Sequence, residues 1–360
     1  MKPGTPITNL VRRELRELKG YVSPRYAFER KMDLNESPFD LPVAVKQEIF
    51  ARLESQPWQR YHDELERPLK EALARYAGHI PEGVLIGNGS NELIFHALLS
   101  AVPAGEAVVF PQPSFSLYRQ NTVVIGGKSV PFRLNETDFS VDPKKVIELA
   151  AKHRARAVIL CSPNNPTGNR VPNEVIEEIA LALDCIVTVD EAYMQFAENH
   201  AFELLESCSN LVILRTFSKA FGLASMRFGY ALCRPELAAE IDKVQLPHHV
   251  NFFSQTAALT LLEHPELIAD QVAAIKRERS FLSGELSVLP EVKVYPSEAN
   301  FVLVEFNKKR TEEVFDALLE RGILVRNISN YPGLSRCLRI TVGPEADNRA
   351  LVAAMGEVLS

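Results

Sequence analysis

The chain has 360 residues, 46% hydrophobic and 24% charged, a composition that excludes a largely disordered polypeptide. Its formal charge of −6 argues against a general nucleic-acid binder, which needs a basic excess. No apolar run approaches the roughly 20 residues that span a bilayer, and Met1–Tyr21 mixes Arg, Glu and Leu without a signal-peptide core, so a cytoplasmic chain is expected.

Residues 1–40 contain Pro3, Pro6, Pro24 and Pro38 and read as an N-terminal arm that must pack on something else. From 41 to 246, short apolar runs alternate with amphipathic stretches. Strands are expected at 84–86, 107–110, 129–132, 157–160, 186–189, 211–214 and 228–232, with helices such as 92–101, 143–153 and 172–183 between them. Alternation of this kind predicts an α/β domain with a mainly parallel sheet covered on both faces, because parallel neighbours need crossover connections. Beyond 246 the pattern changes to a long charged helix at 263–289, strands at 292–295 and 301–306, a helix at 311–321, strands at 323–326 and 338–342, and a final helix from Glu345. Residues 247–360 therefore read as a smaller α+β domain.

Cys161, Cys185, Cys208, Cys233 and Cys337 are odd in number and include no CxxC pair, and the eight histidines show no HExxH spacing. Neither a disulfide framework nor a metal site is expected. His248 and His249 are adjacent, which points them apart on any regular element. Two phosphate-loop look-alikes also fail. Gly127-Lys128-Ser129 has Thr122 where a nucleotide-binding loop needs its first glycine, and Gly87-Asn88-Gly89 has Glu92 where the dinucleotide fingerprint needs its third. The second survives as a glycine turn opening a helix, which favours an anion at the free N–H groups.

Three segments carry the chemistry. Ser162-Pro163-Asn164-Asn165-Pro166-Thr167-Gly168, Asp190-Glu191-Ala192-Tyr193 and Arg215-Thr216-Phe217-Ser218-Lys219-Ala220-Phe221-Gly222 each follow an expected strand, and Arg227 lies just beyond the third. Each alone suits a turn or a helix cap. Together they put an amide, an acid, a phenol, a lysine and a phosphate cradle at the strand carboxyl ends, where open α/β sheets bind ligands. Pyridoxal phosphate needs that set: a lysine for its aldehyde, a carboxylate for its pyridine nitrogen and an anion site for its phosphate.

With Leu34-Asn35-Glu36-Ser37-Pro38, Gly89-Ser90-Asn91-Glu92, Pro113-Ser114-Phe115, Ala299-Asn300-Phe301 and Leu338-Arg339-Ile340-Thr341 added, the sequence resembles the fold-type I pyridoxal-phosphate aminotransferases. Among them it resembles the histidinol-phosphate aminotransferases, from Tyr21 to about Gly343. The resemblance implies a large domain with a seven-stranded, mainly parallel sheet and a homodimer with shared active sites. It assigns Lys219 to the imine with the cofactor and to proton transfer between substrate Cα and cofactor C4′. Asp190 would pair with the pyridinium, Tyr193 and Asn165 would bond the phenolate oxygen, and Phe115 would stack on the ring. Ser90, Asn91, Ser218 and Arg227 would hold the phosphate, with Tyr61 reaching it from the neighbouring subunit. Tyr21, Asn35, Arg326 and Arg339 would bind substrate.

The implied reaction is reversible transamination between histidinol phosphate with 2-oxoglutarate and imidazole-acetol phosphate with glutamate, in histidine biosynthesis. A threonine-phosphate decarboxylase and an aromatic amino-acid aminotransferase share this fold and cofactor. A silent cofactor-binding regulator is disfavoured, because no DNA-binding segment is evident. His248-His249 stand where many relatives carry an aromatic residue and Asn.

Overall fold

A computed structural model describes residues 10–18, 20 and 26–360. In chain order its elements begin with α1 (Arg13–Arg16), β1 (Arg30–Met32), α2 (Val43–Glu54), α3 (Asp63–Ala77), β2 (Val84–Gly87), α4 (Ser90–Ala101), β3 (Ala107–Gln112), α5 (Leu117–Val124) and β4 (Lys128–Arg133). Next come α6 (Pro143–His153), β5 (Ala157–Cys161), α7 (Asn173–Ala182), β6 (Ile186–Asp190), β7 (Leu211–Thr216), β8 (Gly229–Leu232), α8 (Pro235–Asp242) and α9 (Phe252–Leu262). The last are α10 (Pro265–Ser287), β9 (Val292–Tyr295), β10 (Phe301–Phe306), α11 (Thr311–Glu320), β11 (Ile323–Asn327), β12 (Cys337–Thr341) and α12 (Glu345–Leu359).

A seven-stranded sheet runs β2-β8-β7-β6-β5-β3-β4. Only β8 is antiparallel to its neighbours, so β2, β3, β5, β6 and β7 all point one way. Every residue of β5, β7 and β8 is buried, as expected of strands covered on both faces. Period-two alternation still sorts their side chains. Leu211 and Ile213 of β7 join Leu69 and Leu73 of α3 and Ile176 and Ile179 of α7 in one core cluster. Val212 and Leu214 join Leu93 and Ile94 of α4 and Ile241 of α8 in another. The expected seven strands are all present.

The second sheet runs β1-β11-β12-β10-β9. Its core sets Leu282 and Leu286 of α10, Leu318 of α11 and Leu351 and Met355 of α12 against Val302, Val304 and Ile340. The first forty residues reach it directly, because β1 pairs in parallel with β11, Met32 opposite Val325. Helices α2, α3, α5, α8 and α9 add to the expected elements. In α2 the buried residues Val45, Ile49 and Leu53 recur at one-turn spacing, the stripe that a core-facing helix requires. Helix α9 packs on α2 and α3.

Candidate active site

A cavity of about 420 Å³ opens at the carboxyl edge of the seven-stranded sheet and reaches the second sheet. It is lined by Asn35, Ser90, Asn91, Phe115, Asn165, Asp190, Tyr193, Ser218, Lys219, Arg227, Arg326 and Arg339. Strand register explains the convergence. Cys161 at the end of β5 pairs with Asp190 at the end of β6, and Asp190 pairs with Leu214 of β7, so all three chemical segments leave one edge side by side.

The anion-binding end is built from two glycines. Gly89 precedes α4 with φ +81°, and a Cβ there would lie 2.5 Å from Arg227 Nη2. At Gly229 of β8 a Cβ would lie 2.5 Å from the Ser90 backbone nitrogen. Absence of both side chains lets the guanidinium and the first turn of α4 close around one point. Gly89 brings no capping side chain, so the first N–H groups of α4 are available to an anion. Arg227 Nη1 donates to Ser218 Oγ at 3.1 Å, and Thr216 Oγ1 lies 3.0 Å from the same oxygen. Arg227 has φ +53° and Asn35 has φ +54°, a strained conformation of the kind that gathers at functional sites.

At the other end Asp190 is 4% exposed. Its Oδ1 accepts the Ala192 N–H at 3.2 Å and its Oδ2 accepts the Tyr118 hydroxyl at 2.8 Å. Burial raises its pKa to about 6, against the opposing pull of these two donors. Lys219 projects from the loop after β7, and its Nζ donates to Leu34 O at 3.0 Å. Burial first, then the nearby Arg339 and Arg227 cations, bring its pKa down to about 7. Its amine therefore spends much of its time neutral near pH 7, the form that can attack a carbonyl carbon. Tyr193 is buried, and its hydroxyl accepts from Asn35 Nδ2 at 2.9 Å; burial raises its pKa.

The substrate end carries two guanidinium groups from neighbouring strands, since Arg326 of β11 pairs in register with Arg339 of β12. Arg339 Nη1 donates to Asn165 Oδ1 at 2.6 Å and Nη2 donates to Asp33 O. Burial and the Arg326 charge lower the Arg339 pKa. Asn35 is anchored through Asn35 N to Thr341 Oγ1 at 2.9 Å and Asn300 Nδ2 to Asn35 O at 3.1 Å.

Tyr61, expected to serve the site of a neighbouring subunit, does not line this cavity. Tyr61 is 80% exposed and stacks on His248 with ring centroids 4.3 Å apart, in a separate hollow. Tyr21 lies outside the described residues. His249 turns inward instead, with Nε2 3.0 Å from Ile86 O and Nδ1 2.9 Å from Leu246 O. The sequence reading missed Tyr118, Thr216 and Tyr331. Tyr118 stands three residues after Phe115, in an apolar pattern that reads as core; its polar partner becomes visible only once β6 and α5 are packed together.

Pyridoxal phosphate fits this donor set: an uncapped helix N-terminus with Arg227 for the phosphate, Phe115 for the ring face, Asp190 for a ring N–H and Lys219 for the aldehyde carbon. Fold and pocket together define a pyridoxal-phosphate-dependent enzyme. The profile of the aminotransferase class I and II family matches residues 30–355, and the chain belongs to that family.

Its relatives are narrower in kind. The chain is 40% identical over 353 residues to the histidinol-phosphate aminotransferase of Thermoanaerobacter pseudethanolicus, covering 98% of this chain and 99% of that one. It is 39% identical over 354 residues to the histidinol-phosphate aminotransferase of Caldanaerobacter subterraneus, covering 98% and 100%. The crystal structure of histidinol-phosphate aminotransferase from Sinorhizobium meliloti in complex with pyridoxal-5'-phosphate superimposes with a TM-score of 0.85 at 27% identity, over 96% of each chain.

Proposed function

We propose that this aminotransferase interconverts histidinol phosphate and imidazole-acetol phosphate, with the 2-oxoglutarate and glutamate pair as its other substrates, in histidine biosynthesis. The observation that carries the reading is the pair of strand-borne guanidinium groups, Arg326 and Arg339, which line the cavity in addition to Arg227. One anion site beside Gly89 serves the cofactor, and a second serves the substrate. Two planar forks can grip a phosphate monoester and the carboxylate of glutamate in turn. Near-full-length relatives that carry this activity in their names support the same reading.

Bound pyridoxal phosphate supplies an electron-accepting ring and the carbon that carries the amino group between substrates. The chain's own residues do the rest. Lys219 would hold the cofactor covalently and, when displaced, would move the proton between substrate Cα and cofactor C4′. Asp190 keeps a proton on the pyridine nitrogen. Tyr193 and Asn165 donate to the phenolate oxygen, and Phe115 fixes the ring plane. Ser90, Asn91, Ser218 and Arg227 hold the phosphate. Asn35 borders the space where substrate would bind, and Tyr21 would contribute to substrate binding.

Tyr61 serves the phosphate of a second copy, which makes the functional unit a homodimer with shared sites, and the enzyme works in the cytoplasm. Its organisation is an arm over 1–40, a large domain over 41–246 and a small domain over 247–360, with α9 folding back onto α2 and α3. Among the described residues no helix is long and apolar enough to cross a membrane.

A substrate panel with histidinol phosphate, phenylalanine and threonine phosphate tests the reading. Histidinol phosphate should be preferred and no CO₂ released. Preference for phenylalanine, or CO₂ from threonine phosphate, would overturn it. Mixing inactive Tyr61→Ala and Lys219→Ala chains should restore part of the activity, whereas no complementation would remove the shared site.

A further inference from the structure

The role of Asp190 depends on a side chain that lies outside the cavity lining. Tyr118, in the first turn of α5, is completely buried, and its hydroxyl donates to Asp190 Oδ2 at 2.8 Å. Its ring also meets that of Phe115 edge to face, with centroids 5.6 Å apart and planes at 83°. Thr122 Oγ1 donates to Tyr118 O at 2.8 Å, tying down the next turn of the helix. One side chain thus touches both the acid that addresses the edge of the cofactor ring and the aromatic that addresses its face.

We infer that Tyr118 is a positioning residue for pyridoxal phosphate: its hydroxyl orients the Asp190 carboxylate and its ring sets the tilt of Phe115. The inference rests on the cofactor assignment made above and extends it to a residue that does not touch the reacting atoms. A carboxylate has about four lone-pair sites. The Ala192 N–H and the Tyr118 hydroxyl occupy two, one on each oxygen, which leaves two for a ring N–H. Without the hydroxyl a buried acid with one remaining protein donor is free to rotate or to take up a proton. Tyr118 stays a neutral donor throughout, because burial and the Asp190 charge push its own ionisation well above the ordinary phenol range.

Tyr118→Phe removes the hydroxyl and keeps the ring. The test compares three readouts with the unaltered protein: pyridoxal-phosphate affinity of the cofactor-free form by equilibrium dialysis, the pH midpoint of the bound cofactor's visible absorbance, and thermal unfolding of the cofactor-free form. The dissociation constant should rise by roughly 10-fold or more, as expected for losing a hydrogen bond to a charged group. The absorbance midpoint should move upward, because a misplaced Asp190 leaves less positive charge on the ring nitrogen to lower the basicity of the neighbouring nitrogen. Tyr230→Phe, which removes another fully buried hydroxyl, is the control and should leave affinity and midpoint unchanged.

If Tyr118→Phe lowers thermal stability as the control does but changes neither affinity nor midpoint, Tyr118 is only core and the inference is overturned. Should the unaltered protein itself fail to bind pyridoxal phosphate, the cofactor assignment falls and the inference with it. Binding by the unaltered protein separates the two failures.

Discussion

Lys219 and Asp190 face one cavity from adjacent strand ends, and burial displaces their titrations toward each other, to about 7 for the lysine and about 6 for the acid. Each shift disfavours the charged form that the free side chain would hold at neutral pH. A cofactor bringing an aldehyde to one and a ring N–H to the other relieves both costs. The same relationship makes the cofactor-free protein sensitive to pH in a definite direction.

Lys219 has its pKa lowered from 10.5 to about 7. Between those values the unfolded chain holds a proton that the folded chain has shed, so this group's contribution to stability increases as pH rises through that window. Below the window both forms are protonated, and the folded state carries the full penalty of a buried cation. Lys219→Met should therefore stabilise the cofactor-free protein by about 1–3 kcal/mol near pH 6, allowing for water in the cavity. The gain should shrink toward zero as pH approaches 10. Urea unfolding of both proteins across this range checks it, and a pH-independent difference would contradict the assigned shift.

Behind the site, Glu191 Oε2 accepts from Arg215 Nε at 2.9 Å, with both side chains 2% exposed. Glu191→Ala leaves a guanidinium buried without its partner and should cost roughly 3–5 kcal/mol. The loss should appear in denaturant midpoints. A cost below about 1 kcal/mol, the range of exposed pairs, would show that the pair is not desolvated.

Arg339→Lys keeps the charge but loses the two-pronged geometry and the bond to Asn165. If one anion site serves both half-reactions, KM should rise for glutamate and for histidinol phosphate together, by roughly 10-fold. Steady-state kinetics in both directions measure this. A rise for one substrate alone would divide the site between two separate anion subsites.

The sheet was legible because β5, β6 and β7 are short, Val- and Ile-rich runs separated by helical stretches, and a strand buried on both faces needs little else. The chemical residues were legible because Asp190, Asn165 and Lys219 stand at or within a few residues of the ends of such strands, in short segments specific to their chemistry. Long-range partnerships were not. That Met32 would pair with Val325, Arg215 with Glu191, or Tyr118 with Asp190 depends on strand register and helix packing across many residues, which no local pattern encodes. Helix α9 escaped for a different reason: it is buried nearly all round, with the polar Ser254, Gln255 and Thr256 as deeply placed as Ala257 and Ala258, so its sequence shows no helical stripe.

The covalent partner of the cofactor is the claim on which the account turns. Purified protein loaded with pyridoxal phosphate, reduced with borohydride, digested and analysed by mass spectrometry should carry the phosphopyridoxyl mass on the peptide containing Lys219. A label on another lysine, or no label despite saturating cofactor, would contradict it.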